Sequence, residues 1–150
     1  MIYKEEKRDL FSVDDSYYIA HCISADFALG AGIAKEINRR FSTREELRRG
    51  YPDFYEKWMR YSNLHCIMSC IVIGRVINLV TKGKYYEKPT YKSLHNALAL
   101  MKVKCRLSKI KKIAMPLIGC GLDRLQWDRV SAMIKEIFAD EDIEILVCRR

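Results

Sequence analysis

Residues 118–127 read Ile118-Gly119-Cys120-Gly121-Leu122-Asp123-Arg124-Leu125-Gln126-Trp127. An apolar strand pattern precedes this segment and an amphipathic helical pattern follows it, so it predicts a glycine-rich strand-to-helix turn. Gly119 and Gly121 lack the side chains that would keep a ligand away from the backbone, and the first N–H groups of a helix bind anions. Asp123 would repel a phosphate placed directly on it. We therefore expect this carboxylate at the rim of a phosphate site, facing the neutral or reacting part of the ligand.

A second glycine loop, Leu29-Gly30-Ala31-Gly32-Ile33-Ala34, opens another helical pattern. Its small residues would let backbone amides surround a diphosphate, although a tight loop before a helix explains them as well. A dinucleotide-binding Rossmann fingerprint needs a third glycine where Lys35 stands, and no lysine follows a P-loop pattern. Neither standard phosphate motif is present, but two such loops together favour a phosphorylated ligand.

Short apolar runs alternate with helical patterns along the chain and predict an α/β fold. The predicted strands lie at residues 2–3, 17–23, 66–73, 76–80, 113–116 and 143–147. Helical stripes run from Ile33 to Phe41, from Leu94 to Cys105 and from Val130 to Phe138. Between residues 42 and 63, Asp53 and Glu56 form a capping-box pattern that predicts an extra helix. We expect that helix to pack over one sheet edge rather than to contact substrate.

The composition, 49% hydrophobic and 31% charged over 150 residues, is typical of a single globular domain spanning residues 1–150. The N-terminus is charged where a secretory signal needs an apolar core, and no apolar run approaches the length of a membrane span. We therefore predict an intracellular protein, in the cytoplasm or nucleus, with no membrane partner. The six cysteines have no metal-type spacing, so they are predicted to be reduced and mostly small core residues, and no metal site is expected.

The chain is basic, with 27 lysines and arginines against 19 acidic residues and a formal net charge of +8. Such a charge favours polyanionic ligands or nucleic acid without saying which. The basic residues between positions 102 and 112 have no acidic residue among them. We interpret them as a solvated face at a helix C-terminus rather than as a binding site.

The decapeptide at residues 118–127 resembles the macrodomain family, and in particular its terminal ADP-ribose protein glycohydrolase subgroup, whose signature it matches without a change. Other segments resemble that subgroup in the same order and at compatible spacing: residues 20–24, 30–34, 81–82, 88–91 and 130–134. The resemblance covers most of the chain and is weakest between residues 42 and 75. It implies a three-layer α/β/α macrodomain with a mixed central sheet, ADP-ribose and ADP-ribosylated proteins as partners, and no cofactor.

Two catalytic residues are implied by this resemblance. Lys82 matches the lysine that attacks the anomeric carbon of the distal ribose and forms a covalent lysyl intermediate. Asp123 matches the aspartate that moves protons at that ribose and helps resolve the lysyl adduct. From the residues alone, Lys82 is also consistent with a solvated strand end, and Asp123 with Gln126 is also consistent with an N-terminal capping box.

The resemblance further implies how ADP-ribose is bound. Asp9 matches the aspartate that holds the adenine amino group, although Arg8 stands where the family usually has glycine. We interpret His21 as a strand histidine near the cleft rather than a general base, and Ser24 as a hydrogen-bonding partner of the ligand rather than a nucleophile. The residues implied to bind the ligand are Asp9, Leu10, His21, Ser24, Gly30, Ala31, Gly32, Ile33, Ala34, Thr81, Pro116, Ile118, Gly119, Cys120, Gly121 and Leu122.

An enzyme is the first functional hypothesis: it would remove mono-ADP-ribose from acidic side chains of proteins by cleaving the ester at the distal ribose, with O-acyl-ADP-ribose as a second substrate class. A reader that binds ADP-ribose without turnover is the alternative from another class, but binding alone requires neither Lys82 nor Asp123. A third hypothesis is a hydrolase of ADP-ribosylated nucleobases in DNA, since related macrodomains act on nucleic acid and the charge of +8 would help hold a strand. A compact domain of this kind is expected to be a monomer.

Overall fold

A six-stranded mixed sheet forms the centre of the protein, whose computed structural model describes all 150 residues. The strands are β1 (Ile2–Lys7), β2 (Tyr18–Ser24), β3 (Cys70–Ile73), β4 (Val76–Lys82), β5 (Lys112–Met115) and β6 (Glu144–Arg149). Their order is β1-β6-β5-β2-β4-β3, and only β3 runs antiparallel to its neighbour. The carboxyl ends of the parallel strands therefore meet at one edge of the sheet, where α/β proteins bind ligands.

Helices cover both faces of this sheet. They are α1 (Gly32–Phe41), α2 (Thr43–Gly50), α3 (Phe54–Arg60), α4 (His65–Met68), α5 (Tyr91–Ser108) and α6 (Trp127–Ile137). Helices α5 and α6 share one core cluster with the sheet, while α1, α2 and α3 contribute to two clusters on the opposite face. The predicted three-layer α/β/α arrangement with a mixed sheet is confirmed.

The helical stripes predicted from the sequence are the faces that pack on the sheet. Leu94, Leu98 and Met101 of α5 are fully buried against strand residues such as Ile77 and Ile113. On the other face, the buried Ile37 of α1 packs against strands β2 and β4. Burial of each such side chain contributes about 1.5–3 kcal/mol, which makes these stripes the main source of the stability of the sandwich.

The segment between residues 42 and 63 packs over the β3 edge of the sheet, as predicted, but it holds two helices instead of one. Phe54 and Trp58 of α3 are buried in a cluster with Ile71 of β3 and Val80 of β4. The predicted capping box is wrong, because Asp53 has φ −108° and ψ 23° and its side chain caps no amide. Aromatic burial, rather than a cap, therefore stabilises α3.

Two predicted strand boundaries are wrong. Residues 66–68 belong to α4, so that β3 begins only at Cys70, and a short apolar run does not by itself distinguish a strand from a helical turn. Strand β1 extends through Lys7 rather than ending at Tyr3, because a strand at the edge of the sheet tolerates an exposed, charged side chain at nearly every position.

The basic run between residues 102 and 112 is partly neutralised by an acidic turn distant in sequence. Lys102 forms an ion pair with Asp140 at 3.0 Å, and Arg106 forms one with Glu141 at 2.7 Å. This face is therefore the solvated surface that the sequence predicted. Its positive charge is partly compensated by acidic residues that are distant in sequence.

All six cysteines are free, and five of them are buried or half-buried, as expected of small core residues; Cys66 is exposed. None of the helices is both long and apolar enough to cross a membrane.

Candidate active site

A cleft of about 740 Å³ opens at the carboxyl ends of β2, β4 and β5, where both glycine loops meet. Strand β2 leads into the loop that holds Gly30 and Gly32, and strand β5 leads into the loop that holds Gly119 and Gly121. Strand β4 ends at Lys82 between them. The residues lining the cleft are His21, Cys22, Ile23, Ser24, Ala28, Leu29, Gly30, Ala31, Gly32, Ile33, Ala34, Lys82, Tyr85, Lys88, Pro116, Leu117, Ile118, Gly119, Gly121, Leu122 and Asp123.

Lys82 and Asp123 face each other across this cleft. Lys82 Nζ donates to Asp123 Oδ1 at 2.7 Å, and the two side chains are 13% and 15% exposed. A surface ion pair would be screened by water, but this pair lies largely out of solvent, so its Coulomb attraction is stronger. The direct hydrogen bond also gives the ammonium proton a path to the carboxylate, which leaves a neutral amine able to attack an electrophile.

The loop that carries Asp123 differs from the predicted turn. Helix α6 begins at Trp127, so residues 116–126 form an irregular loop. The capping-box interpretation of Asp123 with Gln126 is therefore wrong, because Gln126 itself is the N-cap residue and Asp123 is engaged by Lys82. Three consecutive amides, those of residues 121–123, find no acceptor within the chain. These N–H groups are therefore the free donors that the sequence pattern assigned to a helix terminus.

Two side chains from the preceding segment hold this loop in place. Lys88 Nζ donates to Leu122 O at 2.7 Å, and Tyr91 Oη accepts from Gln126 N–H at 3.0 Å. The Tyr91 ring is itself covered by Arg129, whose guanidinium carbon lies 3.6 Å from the ring centroid. The segment that resembles the family at residues 88–91 thus positions the Asp123 loop from outside.

Gly119 is required for the shape of this loop. Its φ is +74°, and a Cβ added there would lie 3.0 Å from Leu125 Cδ1 and 3.4 Å from Leu94 Cδ2. We expect Gly119→Ala to lower the free energy of unfolding by about 1–2 kcal/mol, because the left-handed backbone and the close contact both penalise the methyl group. Urea denaturation measures this effect. Gly121→Ala is the matched control, since nothing lies within 4 Å of its added Cβ, and an equal loss in both variants would contradict the argument.

The first glycine loop also presents free amides to the cleft. The N–H groups of residues 29–34 find no acceptor within the chain, and Gly32 has φ +58° at the start of α1. Asp26 organises the base of this loop, since its carboxylate accepts from Ser24 Oγ and from Ala28 N–H at 3.1 Å. The other oxygen of Asp26 accepts from Tyr85 N–H at 3.1 Å. This aspartate therefore ties the loop after β2 to the loop after β4.

His21, Cys22 and Ser24 lie on the floor of the cleft. His21 Nε2 lies 2.7 Å from Asn78 Oδ1. Asn78 Nδ2 donates to Ile71 O, so Oδ1 is the acceptor and His21 Nε2 carries the donated proton. His21 Nδ1 is buried without a hydrogen-bond partner. Burial lowers the pKa of His21 to about 4, which makes it a poor proton acceptor at neutral pH. Burial raises the pKa of Cys22 to about 12, so its thiol is not a nucleophile there.

Acid should destabilise the protein in part through His21. Its pKa falls from 6.5 in the unfolded chain to about 4 in the fold, so the unfolded chain binds more protons between these values. Stability contributed by the neutral form is therefore lost as the pH falls from about 6.5 to about 4, by about 3 kcal/mol in total. Urea denaturation across this range should show a shallower pH dependence for His21→Gln than for the wild type.

Ion-paired carboxylates such as Glu36 also lose stabilising charge on acidification. The quantity to measure is therefore the difference in free energy of unfolding between wild type and His21→Gln at each pH. The glutamine side chain of the variant retains an N–H donor for Asn78 Oδ1 and does not titrate. Parallel pH profiles would show that His21 contributes nothing to the acid dependence.

Four of the residues implied to bind ADP-ribose do not line the cleft. Asp9 is exposed and accepts from Phe11 N–H at 2.9 Å, with Arg150 Nη2 at 3.5 Å from its carboxylate. The other three are Leu10 and Thr81, which are buried, and Cys120, which is half-buried.

Arg8, which stands in place of the usual glycine, causes no backbone strain, because its φ is not positive. Its guanidinium donates to Ser12 Oγ at 2.9 Å and to Ser12 O at 3.2 Å. The arginine therefore fastens the turn that carries Asp9 instead of distorting it.

Several residues that line the cleft were not predicted from the sequence. They are Cys22, Ile23, Ala28, Leu29, Tyr85, Lys88 and Leu117. Most are immediate neighbours of predicted residues in the same strand or loop, so their position next to those residues in the sequence could have identified them as lining the cleft. Tyr85 lacks such a signal, because hydrogen bonds between the loop after β2 and the loop after β4, including the one from Tyr85 N–H to Asp26, bring it to the cleft.

The comparisons with known proteins agree with this architecture. The model of the Macro domain family matches residues 20–134. The ADP-ribose glycohydrolase OARD1 of Homo sapiens is 38% identical over 146 residues, which cover 94% of this chain and 87% of that protein. The structure of the macrodomain of Mycobacterium tuberculosis DarG matches with a TM-score of 0.78 at 17% identity, covering 98% of this chain and 97% of that one. Thermosipho africanus DarTG in complex with ADP-ribose matches with a TM-score of 0.71 at 15% identity, covering 99% of this chain and 42% of that one.

Proposed function

The chain belongs to the Macro domain family, and on this basis we propose that it is an ADP-ribose glycohydrolase that releases mono-ADP-ribose from acidic side chains of proteins. The observation that carries the proposal is the Lys82–Asp123 pair, 2.7 Å apart, in a cleft walled by two loops of free amides. The relative named as an ADP-ribose glycohydrolase aligns over nearly the whole chain. A protein that only bound ADP-ribose would need the free loop amides but not the Lys82–Asp123 pair.

The diphosphate of the ligand would lie against the free amides of residues 29–34 and 121–123, which stabilise negative charge without a counter-ion. The distal ribose then faces Lys82 and Asp123, because these two side chains lie between the loops. Asp123 is adjacent to the neutral sugar and not on the phosphates, where its charge would oppose binding. The adenosine would extend towards the end of β1, where Asp9 offers an acceptor for its amino group.

In the first chemical step, the ammonium proton of Lys82 passes to Asp123 and the neutral amine attacks the anomeric carbon. A carbon–nitrogen bond forms, the carbon–oxygen bond to the substrate carboxyl group breaks, and the released carboxylate takes the bonding electrons. The adduct nitrogen then loses its extra proton to solvent. In the second step water attacks the same carbon, the carbon–nitrogen bond breaks, and the proton released by the water converts the free lysine amine back to the ammonium. Asp123 returns a proton to the leaving amine, so that ADP-ribose and the free acidic side chain are the products. O-acyl-ADP-ribose carries a comparable ester and is a second substrate class.

The decisive experiment measures free ADP-ribose released from a glutamate-linked mono-ADP-ribosylated protein. A serine-linked protein is the control, because an ether-type linkage has a poorer leaving group than a carboxylate. Calorimetry with ADP-ribose is run in parallel. Release from the glutamate-linked protein alone supports the proposal, whereas binding without any release would make the chain a reader.

A second candidate substrate is an ADP-ribosylated nucleobase in DNA. Tyr85 and Tyr86 are 66% and 63% exposed beside the cleft, and their rings lie edge to face at 5.4 Å. Exposed aromatic rings next to lysines are surfaces on which single-stranded bases stack. Release of ADP-ribose from modified DNA, together with a salt-dependent affinity for single strands, would favour this substrate.

We also propose that residues 1–150 act as one domain and as a monomer inside the cell, in the cytoplasm or nucleus. One sheet contains all six strands, and the helices pack only on its two faces. The cysteines are free, as in proteins of reducing compartments. Light scattering after size exclusion tests the oligomeric state.

A further inference from the structure

The side chain of Arg44 in α2 forms hydrogen bonds with the backbone of the first glycine loop. Its Nε donates to Ala28 O at 2.9 Å, and its Nη2 donates to the same carbonyl oxygen and to Leu29 O at 3.2 Å. No carboxylate lies within ion-pair distance of this guanidinium, so two backbone carbonyl groups are its acceptors. We propose that Arg44 is a positioning residue that holds the loop in the conformation that binds the diphosphate.

The geometry of the peptide bond connects these contacts with the cleft. In a trans peptide the C=O and N–H groups point in opposite directions, and the plane linking them is rigid. When Arg44 holds Ala28 O and Leu29 O on one side, the amides of Leu29 and Gly30 must point to the other side. Both amides lack an acceptor within the chain, and both residues line the cleft. Arg44 therefore aims two donors at the ligand without touching it.

The loop needs such support because its backbone is strained. Phe27 has φ 55° and Leu29 has φ 43°, which are left-handed values that residues with a side chain rarely adopt. The side chains of both residues are buried against the helices of the 42–63 segment, and the Phe27 and Phe54 rings stack at 5.0 Å. Buried side chains fix the position of the loop, and the guanidinium fixes the direction of the two peptide planes that carry Ala28 O and Leu29 O.

Helix α2 provides a matched control for Arg44. Arg44 N–H donates to Asn38 Oδ1 at 2.9 Å, which fixes the start of α2 against α1. Arg48 lies one turn further on and is exposed, and its side chain makes no hydrogen bond or ion pair. Arg48→Ala removes the same charge from the same helix without touching the loop. Arg44→Lys keeps the charge but replaces the rigid planar fork of donors with a single flexible ammonium.

The inference rests on the proposed function, and its test compares wild type, Arg44→Ala, Arg44→Lys and Arg48→Ala. We expect Arg44→Ala to weaken ADP-ribose binding by about tenfold in calorimetry and to raise KM by a similar factor, with kcat within about twofold of wild type. The reason is that phosphates remote from the reacting carbon are held equally in the ground state and the transition state. Arg44→Lys should fall between Arg44→Ala and wild type, and Arg48→Ala should match wild type.

Several outcomes would overturn the inference. One is a folded Arg44→Ala protein that binds ADP-ribose as well as Arg48→Ala does; another is an equal fall in kcat and kcat/KM. If Arg44→Ala does not fold, Arg44→Lys decides, and wild-type affinity in that variant overturns the inference. A wild type that binds ADP-ribose but releases none refutes the proposed function alone, because the binding comparison still applies. A wild type that binds no ADP-ribose refutes both.

Discussion

Lys82→Ala is expected to lower kcat for release of ADP-ribose by about a thousandfold or more, while the affinity for free ADP-ribose stays within a few-fold of wild type. The amine of Lys82 is the best placed nucleophile in the cleft, because the thiol of Cys22 stays protonated. The other cleft lysine, Lys88, donates to Leu122 O instead. We expect ligand affinity to come mainly from the loop amides, which have no acceptor within the chain and which this substitution leaves in place. Single-turnover release from a glutamate-linked substrate and calorimetry give the two quantities.

The variant Lys82→Arg distinguishes the role of Lys82 as a nucleophile from the role of its positive charge. The guanidinium retains a positive charge that can pair with Asp123, but it stays protonated and does not attack carbon. We expect this variant to be as inactive as Lys82→Ala. Lys57→Ala, which removes an exposed lysine from α3, is the control for charge and should have wild-type activity. Retention of a tenth or more of the activity in Lys82→Arg would mean that Lys82 acts through its charge and not as a nucleophile.

The two loops were predictable from the sequence because their chemistry is local. Small residues at positions 30–32, 34 and 119–121 indicate that the backbone can approach a ligand closely, and the adjacent apolar patterns predict the strands and helices that flank these loops. The pairing of Lys82 with Asp123 spans 41 positions and depends on β4 and β5 lying on either side of β2. Spacing along the chain does not encode that strand order. The family resemblance, and not the pattern, identified this pair in advance.

The contacts that support the first glycine loop and the basic face could not be predicted from the sequence either, because they join residues that are distant along the chain. Arg44 lies in the segment where the resemblance is weakest, and a single arginine at the start of a charged helix looks like any solvated residue. Its role follows from Ala28 and Leu29 turning their carbonyl groups away from the cleft, which is a property of backbone conformation. The compensation of Lys102 by Asp140 is likewise a product of the packing of α5 against the turn after α6.

Asp123→Asn is expected to stop turnover and to leave ADP-ribose covalently attached to Lys82. Asparagine preserves the shape of the side chain and the loop but neither accepts the proton nor returns it. The substitution leaves the amine of Lys82 in place, so we expect its attack to continue with water as the acceptor of its proton. Breakdown of the adduct fails because no acid protonates the leaving amine, and we expect kcat to fall by about 10²–10⁴-fold.

Intact-protein mass spectrometry after incubation with substrate should show one added ADP-ribosyl group in Asp123→Asn, and peptide mapping should place it on Lys82. The double variant Lys82→Ala, Asp123→Asn is the control, and it should carry no adduct. Turnover lost without an adduct would mean that the attack itself fails unless Asp123 takes the proton of Lys82, and it would contradict the predicted accumulation of the intermediate. Unchanged turnover would remove Asp123 from the mechanism, because an ion pair that only binds ligand or stabilises the loop needs no proton transfer.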